Sequence, residues 1–128
     1  MRMILIAPAI AALVLAAAAV PGGAKDRGRI PEATPAGKPE SCVSTIRIRA
    51  THVRSDQVID FEMNGGQVYR NTLPYACPGL GFDQAFGYET QTGQLCSVDT
   101  ITVLQAASRT RGATCGLGVF QPVTLAKK

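Results

Sequence analysis

Four cysteines, Cys42, Cys77, Cys96 and Cys115, constrain this chain more than any other feature. Their gaps are 35, 19 and 19 residues, and the single histidine, His52, stands apart from them. Zinc sites favour close pairs such as C-x-x-C, so the even set in a short chain reads as two disulfides. Disulfides persist in oxidising compartments. The amino-terminal residues agree. Met1-Arg2-Met3 precedes an apolar run from Ile4 to Val20, followed by Pro21-Gly22-Gly23-Ala24. A basic start, an apolar stretch and a small-residue cleavage site are the three parts of a secretory signal. The run is alanine-rich and at the lower length limit for a membrane span. A lipid anchor would need a cysteine directly after it, and Cys42 is far downstream. Residues 1–24 are therefore expected to be a signal peptide, cleaved after Ala24 or, as second choice, Ala19. The mature protein is expected to be periplasmic or secreted, with no stable membrane insertion.

Residues 25–40 hold Pro31, Pro35, Pro39, Gly28 and Gly37, with hardly a large apolar side chain beyond Ile30. Such a segment buries too little to fold alone and reads as a disordered linker. Residues 41–121 form the foldable domain and 122–128 a basic tail. A domain of roughly 80 residues buries little more than about 60% of its unfolded surface, so the disulfides compensate for a small core. Across the domain, Arg47, Arg49, Arg54, Arg70, Arg109 and Arg111 balance Asp56, Asp60, Glu62, Asp83, Glu89 and Asp99. The +4 total is carried outside the domain. A nucleic-acid partner is not expected, since its binder would carry positive charge on the folded surface.

Ser44–Ala50 and Val58–Met63 alternate with period two, the pattern of half-buried strands. Asn64-Gly65-Gly66 supplies the positive φ of a tight hairpin, returning through Gln67–Asn71. Further strands are expected at Phe86–Thr90, Val98–Leu104 and Cys115–Phe120, with one helical turn around Phe82–Phe86. The fold class is all-β: a disulfide-stapled antiparallel meander closing into a small barrel or a two-layer sheet. A register with partner numbers summing to about 111 sets Ile48 opposite Met63, Arg49 opposite Glu62, Ala50 opposite Phe61 and Thr51 opposite Asp60, with Arg47 close by. It places Ile46, Ile48, Ile59, Phe61 and Met63 on one face, with Val68. A two-residue loop at the hairpin then groups Arg47, Arg49, Asp60, Glu62 and Tyr69 on the polar face as a possible binding patch.

Gly65-Gly66-Gln67-Val68-Tyr69-Arg70-Asn71-Thr72-Leu73, Cys77-Pro78-Gly79-Leu80, Leu95-Cys96-Ser97-Val98-Asp99-Thr100-Ile101-Thr102-Val103 and Cys115-Gly116-Leu117-Gly118-Val119-Phe120 stand in an order and spacing that carry a likeness. Over about Cys42–Pro122 the chain resembles a family of small exported proteobacterial proteins of unknown function. The resemblance implies export and a compact domain, and brings no catalytic residues.

His52 lacks a partner nucleophile: the chain has no G-x-S-x-G and no H-E-x-x-H. Asp60 and Glu62 lie two apart on one strand face, about 7 Å by strand rise. Glycosidases use carboxylate pairs at such spacing, but the facing arginines would depress both pKa values where the acid member needs its own raised. Asp99 shares parity with Ile101 and Val103; it is expected to pin a turn through backbone N–H groups, or to line a pocket. No catalytic residue, metal or cofactor is expected. If Val98–Leu104 and Cys115–Phe120 form a hairpin around Ser108-Arg109-Thr110, Cys115 lies opposite about Val103, too far from Cys96 for a bridge. Of the two remaining pairings, Cys77–Cys96 with Cys42–Cys115 is favoured over Cys42–Cys96 with Cys77–Cys115, because a small barrel brings the opening and closing strands together. The expected role is a non-catalytic binding or structural domain with a protein or envelope partner. The alternative is an inhibitor of a cell-wall hydrolase or protease, presenting the loop from Pro74 to Asp83; a small enzyme ranks third.

Overall fold

The structure, a computed structural model, describes residues 30–126. The expected signal peptide, residues 25–29 of the linker and Lys127-Lys128 lie outside the described residues. Ten strands run in order: β1 (Ala33–Pro35), β2 (Cys42–Ser44), β3 (Ile48–Val53), β4 (Val58–Met63), β5 (Val68–Thr72), β6 (Phe86–Gly87), β7 (Gln94–Cys96), β8 (Thr100–Gln105), β9 (Thr110–Gly116) and β10 (Phe120–Leu125). One helical turn, α1 (Leu80–Asp83), lies between β5 and β6. The strands build a five-stranded antiparallel sheet in the order β1-β10-β5-β4-β3, a three-stranded sheet β6-β8-β9 and a two-stranded ladder β2-β7. The sheets do not close into a barrel.

The core lies where these layers meet. Phe61 of β4 packs edge-on against Phe120 of β10 at 5.3 Å and against Phe86 of β6 at 6.2 Å between ring centroids. Ile59, Leu73, Leu80, Leu95, Ile101 and Val103 are fully or almost fully buried around them. Aromatic pairs in this geometry contribute about 0.5–1.5 kcal/mol beyond their buried area. They join strands far apart in sequence, which suits a domain too small for redundancy.

Four expectations are corrected. The alternation over Ser44–Ala50 does not make one strand: Thr45–Arg47 is a 3₁₀ turn. There the chain leaves the ladder with β7, where the Thr45 N–H donates to the Gly93 carbonyl, and joins β4. Ile46 is consequently exposed rather than on the apolar face. The β3–β4 register begins as expected at Ile48↔Met63, then shifts by one residue at Arg49, giving Ala50↔Glu62 and Thr51↔Phe61. Such a bulge sits well on an edge strand, where it blunts pairing with other chains.

The second correction concerns the hairpin. Its loop has three residues: the Met63 N–H donates to the Gln67 carbonyl, and Gly65 and Gly66 both adopt positive φ. One added loop residue inverts the parity of the returning strand. Tyr69 therefore faces Phe61 on the core side, and Val68 stands opposite Glu62 on the other.

Third, the linker and the tail are not strand-free. Ala33–Pro35 pairs with Val123–Leu125, Glu40 bridges Phe120, and β10 carries the domain past residue 121 to Leu125. The proline- and glycine-rich segment gains order from pairing with an edge, a long-range effect that local composition does not contain. Pro35 sits on the sheet's outermost strand, where a missing N–H costs nothing.

Fourth, the disulfides are Cys42–Cys96 and Cys77–Cys115. Cys42 and Cys96 are direct cross-strand partners on β2 and β7, with Cα atoms 4.0 Å apart. The Ser97 N–H donates to Ser41 and the Thr45 N–H to Gly93, so 42 and 96 form a non-hydrogen-bonded pair, the closer of the two kinds. Cys115 lies opposite Ile101, and Cys96 and Cys115 are indeed not joined. Barrel closure was what favoured Cys42–Cys115; instead, after β9 the chain crosses to the other sheet, and β10 inserts between β5 and β1.

Candidate functional site

The residues expected as one patch divide among three places. On the outer face of the five-stranded sheet, Asp60 is completely buried. The Arg70 side chain holds it with two bonds, Nε to Oδ1 at 2.8 Å and Nη2 to Oδ2 at 2.9 Å. Arg54 Nε donates to Oδ2 at 2.9 Å. Arg70 also donates to the Pro31 carbonyl at 3.0 Å, which draws the amino-terminal segment across the carboxylate. A buried carboxylate is tolerated only when paired and hydrogen-bonded, and here both conditions hold.

Glu62 makes a second, shallower cluster. It pairs with Arg49 and meets His52 Nε2 at 3.1 Å. The hydrogen bond with His52 first, then that with Arg49, hold its carboxyl below the ordinary 4.5. Glu62 is thus not arranged as a proton donor near neutral pH. Sequence reasoning paired Arg49 with Glu62 correctly, but missed Arg54 and Arg70 as the partners of Asp60.

Arg47 and Tyr69 belong to a third place, a small pocket that also includes Glu40 and Met63. The Tyr69 hydroxyl donates to Glu40 at 3.5 Å. Burial, then the charge of Glu40, raise the Tyr69 pKa.

Two further surfaces stand out. The segment Pro74–Asp83 exposes Tyr75 and Phe82 at 82% and 89%, large values for aromatic side chains in so small a core. It is nonetheless firmly seated. Cys77 is bridged to Cys115, the Cys77 N–H donates to the Asp56 carbonyl at 2.7 Å, and the Gly81 N–H donates to Asp56 Oδ1 at 2.7 Å. A Cβ at Gly81 would come within 2.9 Å of that same oxygen, so glycine is needed there for close approach.

The other surface is a polar cleft beside the Cys42–Cys96 bridge. Tyr88, Glu89, Gln91, Gln94 and Asp99 line it, with a volume of about 860 Å³. A second, smaller cleft of about 370 Å³ shares Tyr88 and Glu89 and continues along Thr100, Thr102 and Arg111. Tyr88 neighbours Phe86, 6.3 Å away between ring centroids with the rings tilted by 36°. Asp99 pins the turn as expected, its Oδ2 accepting the Cys96 N–H at 2.7 Å, and it also stands in the lining of the cleft. Sequence reasoning took Phe86–Thr90 as a strand. Only Phe86–Gly87 is one, because the following Thr90-Gln91-Thr92-Gly93 bends away, with Gly93 at φ +74°. The run of hydroxyls and amides between two apolar strands was the available signal for this cleft.

Among the described residues, no group of three or more histidine, cysteine or acidic side chains could hold a metal ion. None of their helices is long and apolar enough to cross a membrane. The two disulfides are consistent with an extracellular protein. A family model described as a family of unknown function, DUF6491, matches residues 1–124. Neither a curated protein nor a solved structure matches the chain.

Proposed function

Because the chain belongs to the DUF6491 family, a family of unknown function, we propose its role from its own geometry: an exported, non-catalytic domain that acts by binding in the bacterial periplasm or envelope. One observation carries this reading. Asp60 and Glu62, the closest approach to an acid–base pair in the sheet, are each already neutralised by arginine or histidine partners. A general acid at such a site needs a raised pKa, and the Glu62 carboxyl is held low. The bridges that tie β2 to β7 and the Pro74–Asp83 segment to β9 suit a domain that presents preformed surfaces. Capture experiments with the mature protein on periplasmic extract should retain a partner without turnover of it. Hydrolysis of a wall polymer or peptide, lost in folded Glu62→Gln or His52→Ala, would overturn the reading.

The inhibitor alternative draws support from Tyr75 and Phe82. Exposed aromatic side chains on a seated loop are the kind of anchor that dominates protein interfaces. On this reading Phe82→Ala relieves inhibition of a cell-wall hydrolase or protease while leaving the fold intact. Unchanged inhibition would remove the loop from consideration.

A further inference from the structure

We propose that the two clefts flanking Tyr88–Glu89 form one binding groove for a neutral oligosaccharide. This rests on the reading of the domain as a binder, and names the ligand class of a surface that reading leaves open. Both volumes, about 860 and 370 Å³, fall near the range of small-molecule sites. Their lining is what distinguishes them. Gln91 and Gln94 offer paired donors and acceptors, and Glu89 offers two acceptors, which match vicinal hydroxyls that donate and accept together. Tyr88 stands where the clefts meet, half-buried and beside Phe86, so its ring provides an apolar platform for the C–H face of a sugar. Thr100 and Thr102 extend the hydroxyl-rich wall along β8 into the second cleft.

Charge and apolarity narrow the ligand. The lining of the whole groove carries one arginine, Arg111, and two carboxylates, Glu89 and Asp99. A polyanion would meet net repulsion there. Leu104 is the one aliphatic side chain in the lining, which gives little hold for the apolar anchors of a peptide. The Cys42–Cys96 bridge and the Asp99–Cys96 hydrogen bond fix one wall before any ligand arrives, which lowers the ordering cost of binding.

The test is a titration of the isotope-labelled mature protein with cellotetraose and with N-acetylchitotetraose, followed by amide NMR shifts. An open polar groove should bind with a Kd in the roughly millimolar range. Shifts are expected to be confined to residues 88–94 and 99–104, with about tenfold weakening by Tyr88→Ala. Gln94→Ala, an exposed change that spares the core, should weaken binding several-fold. Absence of shifts with both sugars overturns the proposal, as do shifts that survive both substitutions in folded protein. Equal or stronger shifts with a tetrapeptide or an acidic oligosaccharide also overturn it. Mass analysis of the same samples separates the two readings. Shortened sugar would refute the non-catalytic role and keep the groove, whereas intact, unbound sugar would refute the groove alone.

Discussion

Asn71 and Gly118 exchange two hydrogen bonds: Asn71 Nδ2 donates to the Gly118 carbonyl at 2.7 Å, and the Gly118 N–H donates to Asn71 Oδ1 at 2.8 Å. The side chain thus acts as a short stretch of strand, satisfying the backbone where the chain passes from β9 to β10. Asn71 is fully buried, and a Cβ at Gly118 would stand 2.2 Å from the Thr72 carbonyl oxygen. Asn71→Ala leaves two backbone groups without partners, each costing about 1–3 kcal/mol. Gly118→Ala must push one backbone off another and should cost about 3 kcal/mol or more. Urea titration of the two variants checks both. Destabilisation within about 0.5 kcal/mol, the ordinary surface range, would refute the contact.

The disulfides interleave, since Cys77 lies inside the segment closed by Cys42–Cys96 and Cys96 inside that closed by Cys77–Cys115. With sequence separations of 54 and 38, each restricts the unfolded chain by roughly 4 kcal/mol on the loop-entropy account. Non-reduced peptide mapping should recover Cys42 with Cys96 and Cys77 with Cys115. Replacing either pair by alanine should lower the thermal midpoint substantially, and a peptide joining Cys77 to Cys96 would contradict the fold.

Much of this architecture was legible in local pattern, and the errors share one cause. Val58–Met63 and the start of the β3–β4 register followed from period-two alternation and from the Asn64-Gly65-Gly66 turn. The side on which Tyr69 lies depended on one loop residue, because strand parity converts a unit change in loop length into a reversal of faces. Ala33–Pro35 and the cysteine pairing depend on strands meeting across the whole chain, and no window of sequence holds that information. At the candidate sites, the Arg49–Glu62 pair was visible as cross-strand neighbours. The hold of Arg54 and Arg70 on Asp60 required a third strand and the turn after β3.

Asp60 and Glu62 lie on the same strand face, yet they should respond very differently to substitution. Asp60→Ala strands two arginines that are largely buried beside it, and breaking such a pair costs about 3–5 kcal/mol. Glu62→Ala removes an exposed pair and should leave the denaturation midpoint close to that of the parent. Chemical denaturation of both variants measures the contrast. Equal losses would mean that the Glu62 cluster is covered by a partner or a second layer.

The Glu62 carboxyl also gives a signed pH prediction. Its folded pKa is depressed below 4.5, with the His52 hydrogen bond as the largest cause and Arg49 next. A depressed carboxyl contributes stability that is fully present above its unfolded pKa and disappears as pH falls through the folded value. Stability should therefore decline on acidification below about pH 4.5, and Glu62→Gln should remove that part of the decline. Carboxyl carbon NMR can follow the group directly. His52→Ala and Arg49→Ala should each raise the Glu62 midpoint, because both side chains hydrogen-bond the carboxylate and lower its pKa. A midpoint at the ordinary value in the parent protein, or one insensitive to both substitutions, would show that the cluster does not persist in solution.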